Sequence, residues 1–378
     1  MLKRYDLAII NRSFWPKSQI IGESLLQLCE LLSKKGYKVV AIVQGSSSLK
    51  QSLKSNARGV GVDFQVSRAR TDSSTGLTGR ISDMLIFVVW TIWILVLRRP
   101  KTIYIATDPP LLVPFIVFLY SKLSRSSYTY HLQDIHPEAS NVITNINPGL
   151  FSLLRSIDNL VIRNASNVIT ITKEMKDFIK ERSNLKNKIY LLDNPSLLTK
   201  VSTQKKIKGF IFAGNAGRLQ KIPMLLEGIS KYKECGGKLP FLFIGSGVYS
   251  KNILLLSEKY HDVLYKGIVD ADVANSLITK YEWALLPIED EVTKYAFPSK
   301  TSSYVSYGAN ILAICSEHTS VARWVLRNNY GISVPPKVDC LVDIFFEIEN
   351  GLTIGKISSD RKRFSIKNFV HGISDILI

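Results

Sequence analysis

Four titratable side chains lie close together in the segment YTYHLQDIHPEAS, which begins as a predicted β-strand. They are His131, Asp134, His136 and Glu138. Such a cluster at the end of a strand is typical of acid/base or substrate-binding sites. Strand alternation puts His131 and Gln133 on one face and Asp134 on the other, so one shared site requires the strand to end near Gln133. The alternative for either histidine is a partly buried structural role. No metal motif such as HExxH is present.

A glycine-containing turn in FAGNAGRLQK follows a predicted strand and precedes a predicted helix. Gly214 and Gly217 permit the backbone to approach a phosphate closely, and the following helix N-terminus favours an anion. The alternative is a plain tight turn. The chain contains neither the full GxGxxG with its ribose-binding acid nor GxxxxGK[ST], so a nicotinamide cofactor and a P-loop are not predicted.

The segment FPSKTSSYVSYG predicts a helix that Pro298 and Ser299 open and Gly308 closes. Ser299 is a candidate N-cap residue. Lys300 places a cation in the first turn, where the helix dipole disfavours one, and this indicates a negatively charged ligand. The alternative is a solvated surface lysine.

Short apolar β-rich runs alternate with helical patterns along the whole chain, in two successive series. The first series begins with YDLAIIN, ESLLQLCELLSKKG and KVVAIVQG, and the second restarts at GFIFAG. This alternation predicts α/β architecture, with two doubly wound domains whose ligands bind in a cleft at the carboxyl ends of the strands. The polar basic stretch Leu197–Gly209 is the predicted linker.

The predicted N-terminal domain covers residues 1–200, and the predicted C-terminal domain covers residues 201–360. Residues 361–378 are expected to form a helix that packs back towards the N-terminal domain. A chain of 378 residues exceeds the usual size of a single hydrophobic core, so two domains also fit its length.

The net charge of +18 indicates nucleic acid, an anionic membrane surface or phosphorylated small molecules as partners. The four cysteines form no CxxC motif, which argues against a disulfide framework or a structural zinc site. The N-terminus has no pattern of a secretory signal, so a cytoplasmic location is expected.

The most apolar run of the chain is Met84–Leu97, between Asp83 and the pair Arg98 and Arg99. It is shorter than the roughly 20 residues that a spanning helix needs. A second run, Pro109–Tyr120, is also short. Lys and Arg residues flank the first run, so it is interpreted as a helix that is partly in the core and partly on a membrane surface, with the second run beside it.

In the order and spacing of its motifs, the chain resembles glycosyltransferase family 4, the retaining nucleotide-sugar transferases of GT-B fold. The resemblance is strongest to the branch that builds bacterial surface polysaccharides. It covers nearly the whole chain through TDPPLLVP, HLQDIHPEAS, FAGNAGRLQK, FLFIGSGVY, WALLPIED and FPSKTSSYVSYGANILAI.

The resemblance implies roles for particular residues. His131 and Asp134 would be catalytic, and Gly22 would approach the donor phosphate or the acceptor. Ser303 and Tyr295 stand where the family usually has glutamates, so Glu289 and Glu291 are possible substitutes. The implied donor-binding residues are Gly214, Asn215, Gly217, Arg218, Lys221, Gly245, Ser299, Lys300, Ser303 and Tyr304.

The implied reaction moves a sugar from a UDP-sugar, or alternatively a GDP-sugar, to a polyprenyl-diphosphate-linked saccharide. It needs neither a metal nor a cofactor, because the helix dipole and basic side chains stabilise the leaving diphosphate. The expected location is the inner face of the bacterial plasma membrane, as a peripheral protein on anionic lipid.

Two other functions remain open. A nucleotide-sugar epimerase can share the GT-B architecture, but it acts on a soluble sugar and has no use for an apolar basic surface. The net charge alone also fits a nucleic-acid-binding protein. Against this, the aromatic residues do not interleave with Lys and Arg, and no nucleic-acid motif is present.

Overall fold

The computed structural model describes residues 4–69, 76–197, 206–354 and 362–378. The chain divides into two compact units. The N-terminal unit is Met1–Pro195 with Ile366–Ile378, and the C-terminal unit is Ser196–Ser365. The predicted domain boundaries at residues 200 and 360 lie outside the described residues, as does most of the predicted linker.

The N-terminal unit contains a seven-stranded sheet in the order β3-β2-β1-β4-β5-β6-β7. Each strand is parallel to its neighbours. The strands are β1 (Leu7–Asn11), β2 (Val39–Gly45), β3 (Asp63–Arg68), β4 (Thr102–Ala106), β5 (Ser127–His131), β6 (Asn167–Thr170) and β7 (Ile189–Leu191). The helices are α1 (Ile21–Lys34), α2 (Leu49–Ser55), α3 (Leu77–Arg98), α4 (Leu112–Ser124), α5 (Glu138–Ile143), α6 (Pro148–Asn164) and α7 (Lys173–Ser183).

The C-terminal unit contains a six-stranded sheet in the order β10-β9-β8-β11-β12-β13, again parallel throughout. The strands are β8 (Ile207–Ala213), β9 (Phe241–Ile244), β10 (Val263–Tyr265), β11 (Tyr281–Pro287), β12 (Asn310–Ile314) and β13 (Gly331–Val334). The helices are α8 (Ile222–Glu234), α9 (Ser250–Lys259), α10 (Ala271–Lys280), α11 (Lys300–Ser306), α12 (Ser320–Arg327) and α13 (Val338–Glu349). Short 3-10 helices lie at Arg218–Gln220 and Glu291–Lys294.

The last helix, α14 (Ile366–Leu377), belongs to the N-terminal unit and packs on α1. The Lys35 ammonium donates a hydrogen bond of 2.9 Å to Ser374 Oγ. The Asn167 amide donates one of 3.3 Å to the carbonyl oxygen of Ile376. The chain therefore ends on the unit in which it begins.

The two sheets confirm the predicted fold class, because both are parallel and their strands are connected through helices. β1 shows why the apolar runs were informative. All five of its residues are buried, and Leu7 lies opposite Val39 in β2 and Thr102 in β4. A parallel strand covered on both faces has a continuous apolar sequence rather than an alternating one.

Two strands at sheet edges, β3 and β13, were not predicted from the sequence. Of the six residues of β3, only Phe64 and Ser67 are buried, so its sequence has little apolar character. β13 begins at Gly331, where a Cβ atom would lie 1.8 Å from the carbonyl oxygen of Ile311. A glycine within a short run is typical of a turn in sequence, although here it permits a close approach between strands.

The helix that contains the apolar run Met84–Leu97 is longer than the run itself. α3 continues through Asp83 and begins at Leu77, so its 22 residues extend about 33 Å. Among the described residues, it is the one helix long and apolar enough to cross a membrane by length and composition. Only 28% of the residues in the most apolar 18-residue window of this helix are buried in the structure.

One side of α3 is nevertheless packed on the protein. Phe87, Thr91 and Leu95 are fully buried, and Asp83 is 2% exposed. The spacing of four residues between these positions keeps them on one side of the helix. The helix contacts β2, β3 and α4.

We predict stability effects of very different size for two substitutions in α3. Phe87→Ala should lower the free energy of unfolding by about 3–5 kcal/mol because it leaves a cavity in the packed side. Val89→Ala should change it by less than about 0.5 kcal/mol, because Val89 is 66% exposed. Urea unfolding followed by circular dichroism measures both values. Equal losses would contradict the packing of α3 against the sheet.

Candidate functional site

Two glycine turns meet at the carboxyl ends of β8 and β9. Gly214 and Gly245 have positive φ angles of 137° and 111°. The backbone N–H of Gly214 donates a 2.9 Å hydrogen bond to the carbonyl oxygen of Ile244. A Cβ atom on Gly245 would lie 2.1 Å from the carbonyl oxygen of Gly214, so no other residue fits there. Gly214 and the adjacent Asn215 are exposed at this edge of the sheet.

Lys300 reaches this turn from the first position of α11. Its Nζ atom is buried and has no hydrogen-bond partner in the structure. The atom lies 4.2 Å from the centroid of the Phe212 ring and 3.6 Å from the position of a Cβ built on Gly214. Burial lowers the pKa of Lys300 to about 7. An enclosed ammonium next to an exposed glycine backbone is suited to binding an anion.

Lys221 and Glu289 were predicted separately, as a donor-binding cation and a substitute carboxylate, but they bind each other. Lys221 Nζ lies 2.6 Å from Glu289 Oε2. The backbone N–H of Glu289 also donates a 2.8 Å hydrogen bond to the carbonyl oxygen of Leu219. This pair therefore connects the loops that follow β8 and β11. Arg218 and Glu291 are exposed.

Gly217 has an evident packing role in its turn. It is buried, and its N–H donates a 3.0 Å hydrogen bond to Gln220 Oε1. A Cβ atom there would lie 2.8 Å from the Asn215 side-chain nitrogen. The fit around Gly217 thus explains the glycine without a ligand. Its predicted contact with the donor stays a prediction.

The prediction that Ser299 caps α11 is wrong. Ser299 precedes the helix, but its side chain makes no capping bond, because its backbone is already helical, with φ −60° and ψ −25°. Tyr304 is fully buried. Its hydroxyl accepts a 3.0 Å hydrogen bond from the N–H of Ala213, so it holds the end of β8, and its predicted contact with the donor stays a prediction. Ser303 is partly exposed on the same helix.

In the N-terminal unit, neighbouring side chains enclose His131, which was predicted to be catalytic. It is the last residue of β5, and it is fully buried. Its Nδ1 lies 2.6 Å from the Tyr104 hydroxyl, and its ring packs against Phe369 of α14. Burial lowers the pKa of His131 to about 3, so the ring stays neutral at physiological pH. These contacts are those of a buried structural histidine, which was the alternative interpretation.

Asp134 lies in the loop that follows β5 and is partly exposed. Burial raises the pKa of its carboxyl to about 6. The strand ends at His131, so the alternation of side chains between the two faces of a strand does not apply to Asp134. Asp134 is thus the member of the predicted catalytic pair that can reach solvent.

A buried arginine holds the loop after β5 in place. Arg182 of α7 donates a 3.1 Å hydrogen bond to the carbonyl oxygen of His136 and pairs with Glu138 at 2.7 Å. It also pairs with Asp158 of α6. Burial, and secondarily Arg182, lowers the pKa of His136 to about 4. His136 and Glu138 therefore belong to a structural network that anchors the segment carrying Asp134.

An ion pair that was not predicted from the sequence lies at the same edge of the N-terminal sheet. Arg12 follows β1 and lies 3.3 Å from Asp108, which follows β4. Asp108 Oδ2 also accepts a 2.8 Å hydrogen bond from the N–H of Ser13. The position of both residues directly after apolar strands was the available signal.

Close packing around Gly22 explains why this position is a glycine. It lies in the first turn of α1, where a Cβ atom would lie 2.6 Å from the backbone of Phe14 and Trp15. Its N–H donates a 3.0 Å hydrogen bond to Ser18 Oγ. Its predicted role at a phosphate or acceptor stays a prediction. Across the described ranges, no group of three or more His, Cys, Asp or Glu residues could hold a metal ion.

We predict that Lys300→Met stabilises the protein at neutral pH. The folded pKa of about 7 lies below the ordinary value of 10.5, so the unfolded chain binds more protons between these values. The stability of the wild-type chain should therefore rise with pH through this window. Compared with it, Lys300→Met should unfold several degrees higher at pH 6.5, and this gain should shrink at pH 9.5.

Differential scanning calorimetry at both pH values measures the effect. Lys238→Met, at an exposed lysine before β9, is the matched control and should change little. A pH-independent loss of stability in Lys300→Met would show that the lysine stem, rather than its charge, matters to the fold.

Comparisons with known proteins found similar chains. No family model matches the sequence. The chain is 22% identical over 262 residues to the probable glycosyltransferase WbjE of Pseudomonas aeruginosa. The aligned region spans 63% of this chain and 63% of the curated relative.

Solved structures share the architecture over nearly the whole chain. HepE from Anabaena, in complex with UDP, has a TM-score of 0.66 at 15% identity, covering 98% of this chain and 99% of HepE. The lipopolysaccharide outer core galactosyltransferase WaaB has the same TM-score and identity, covering 98% of this chain and 100% of WaaB. The two parallel α/β units and these neighbours show the GT-B fold.

Proposed function

We propose that this protein is a retaining glycosyltransferase. It moves a sugar from a nucleotide diphosphate sugar, with a UDP-sugar favoured and a GDP-sugar possible, to a lipid-linked saccharide in bacterial surface polysaccharide synthesis. It acts as a peripheral protein on the inner face of the plasma membrane. It uses neither a metal nor a cofactor.

The observation that carries this proposal is the unpaired, enclosed ammonium of Lys300 beside the exposed backbone of Gly214. A buried charge without a partner is costly, and a bound diphosphate supplies the missing negative charge. Arg218, exposed after the same turn, adds a second cation. Both cations stabilise the negative charge that develops on the diphosphate as the bond to the sugar breaks.

Two similar proteins support the two substrate classes. HepE was solved with UDP, and WaaB is a galactosyltransferase of the lipopolysaccharide outer core. The glycine turns and Lys300 occupy the carboxyl ends of the strands, which is where open α/β sheets bind their ligands. The resemblance to the surface-polysaccharide branch of family 4 implies the same two substrate classes.

The first experiment is thermal unfolding of the purified protein with UDP, GDP, ADP, CMP or NAD. A ligand that binds only the folded state raises the unfolding temperature by mass action. We expect a rise with UDP or with GDP, its absence in Lys300→Met, and its retention in Lys238→Met. A shift with none of the nucleotides, or an equal shift in both variants, would contradict the proposed donor site.

A second measurement separates transfer from epimerisation. Nucleotide diphosphate should be released from the donor in a steady state only when a lipid-linked saccharide is added. Isomerised nucleotide sugar without release of nucleotide would instead identify an epimerase.

We predict that Asp134→Asn lowers kcat by about 100-fold or more, as expected for the loss of a group that moves or holds a proton. Because its pKa is about 6, wild-type activity should fall below pH 6 as the carboxylate becomes protonated. This acidic limb should disappear from the residual activity of Asp134→Asn. Asp177→Asn, at an exposed aspartate of α7, is the control. Unchanged turnover in Asp134→Asn would remove Asp134 from the reaction.

A further inference from the structure

The solvent-facing side of α3 exposes an unusual amount of apolar surface. Six large apolar side chains on this helix are between 40% and 66% exposed: Ile81, Leu85, Val89, Ile92, Trp93 and Val96. An open depression of about 810 Å³ runs along the helix between Thr78 and Trp93. Soluble proteins rarely leave a patch of this kind without a partner.

The patch continues onto the next helix. α4 packs beside α3, and its Leu119 and Leu123 are 40% and 89% exposed. The exposed apolar residues of α3 and α4 are called the apolar face below. Exposed apolar side chains therefore lie on two adjacent helices that connect different strands of the sheet.

Cations border one end of the apolar face. Arg99 follows the last turn of α3, Lys122 lies in the last turn of α4 and Arg125 follows it. All three are exposed. An apolar surface bordered by Lys and Arg is complementary to an anionic lipid surface, where acyl chains lie beneath negative headgroups.

The topology decides how α3 meets a membrane. The strands before and after it, β3 and β4, belong to the same sheet. A spanning helix would place these strands on opposite sides of the bilayer, and the sheet would have to break. The fully buried Phe87 and Leu95 also hold one side of the helix on the protein. α3 can therefore lie along a surface but cannot cross it.

We propose that the apolar face docks on an anionic lipid bilayer with α3 parallel to the membrane plane. The alternative occupant, a second copy of the chain, carries the same cations, so an interface between like faces gains no charge complementarity. This proposal rests on the proposed function in one respect: docking would bring the protein to a lipid-linked acceptor.

The test is flotation of the full-length protein with vesicles of phosphatidylcholine, with or without an equal part of phosphatidylglycerol. We expect binding to the anionic vesicles that weakens at high salt, because screening removes the contribution of the cations. The double variant Val89→Gln, Trp93→Gln should bind at least about tenfold more weakly. Val60→Gln, at a 77% exposed residue outside the apolar face, should bind like the wild type.

A charge variant tests the border separately. Lys122→Glu with Arg125→Glu should weaken binding to anionic vesicles, while Lys50→Glu on α2 should not. Equal binding by all variants, or no binding by the wild type, would overturn the proposal. Retention in the membrane after alkaline carbonate would show a spanning helix instead. A dimer that the Val89→Gln, Trp93→Gln variant loses would identify a second copy as the occupant.

Nucleotide-dependent thermal shifts of the same samples keep the two proposals distinguishable. A protein that binds vesicles but no nucleotide would refute the proposed donor site alone. A protein that binds UDP or GDP but no vesicles would refute the docking surface alone.

Discussion

Parallel pairing is the constraint on which the rest of both units depends. A parallel strand can be followed by its neighbour only after the chain has returned across one face of the sheet, usually as a helix. The carboxyl ends of all strands consequently lie at one edge of the sheet. In the C-terminal unit this edge brings Gly214, Gly245 and Glu289 together from three different strands. In the N-terminal unit it does the same for Arg12, Asp108 and Asp134.

The same constraint explains why an apolar helix of 22 residues does not imply a spanning segment. Composition and length describe α3 alone, whereas its two ends are attached to strands of one sheet. The attachment limits the helix to a position along the protein surface. Its apolar side must then be covered by something that accepts a helix lying flat, and a bilayer surface with anionic headgroups has that property.

At the candidate donor site, stability and binding oppose each other. Lys300 Nζ is enclosed without a hydrogen-bond partner. The favourable contact that the structure shows for its charge is with the face of the Phe212 ring. A fold selected only for stability would place an apolar side chain there. Tyr304 shows the contrasting case, because its buried hydroxyl is fully used to hold the end of β8. Lys300 is therefore the residue of α11 proposed to bind a ligand, whereas the hydroxyl of Tyr304 has a structural role.

The sequence by itself determined the α/β class, the two series of strands and the glycine turn at Gly214, since apolar periodicity and glycine are local properties. It also predicted that Lys300 lies in the first turn of a helix, which α11 confirms. Only the tertiary structure decided that His131 lies under Phe369, that Tyr304 bonds to Ala213 and that Lys221 pairs with Glu289. The full extent of α3 and its attachment to one sheet also came from the fold. These features depend on residues far apart in the chain, and the spacing of residue types along a sequence does not contain such contacts.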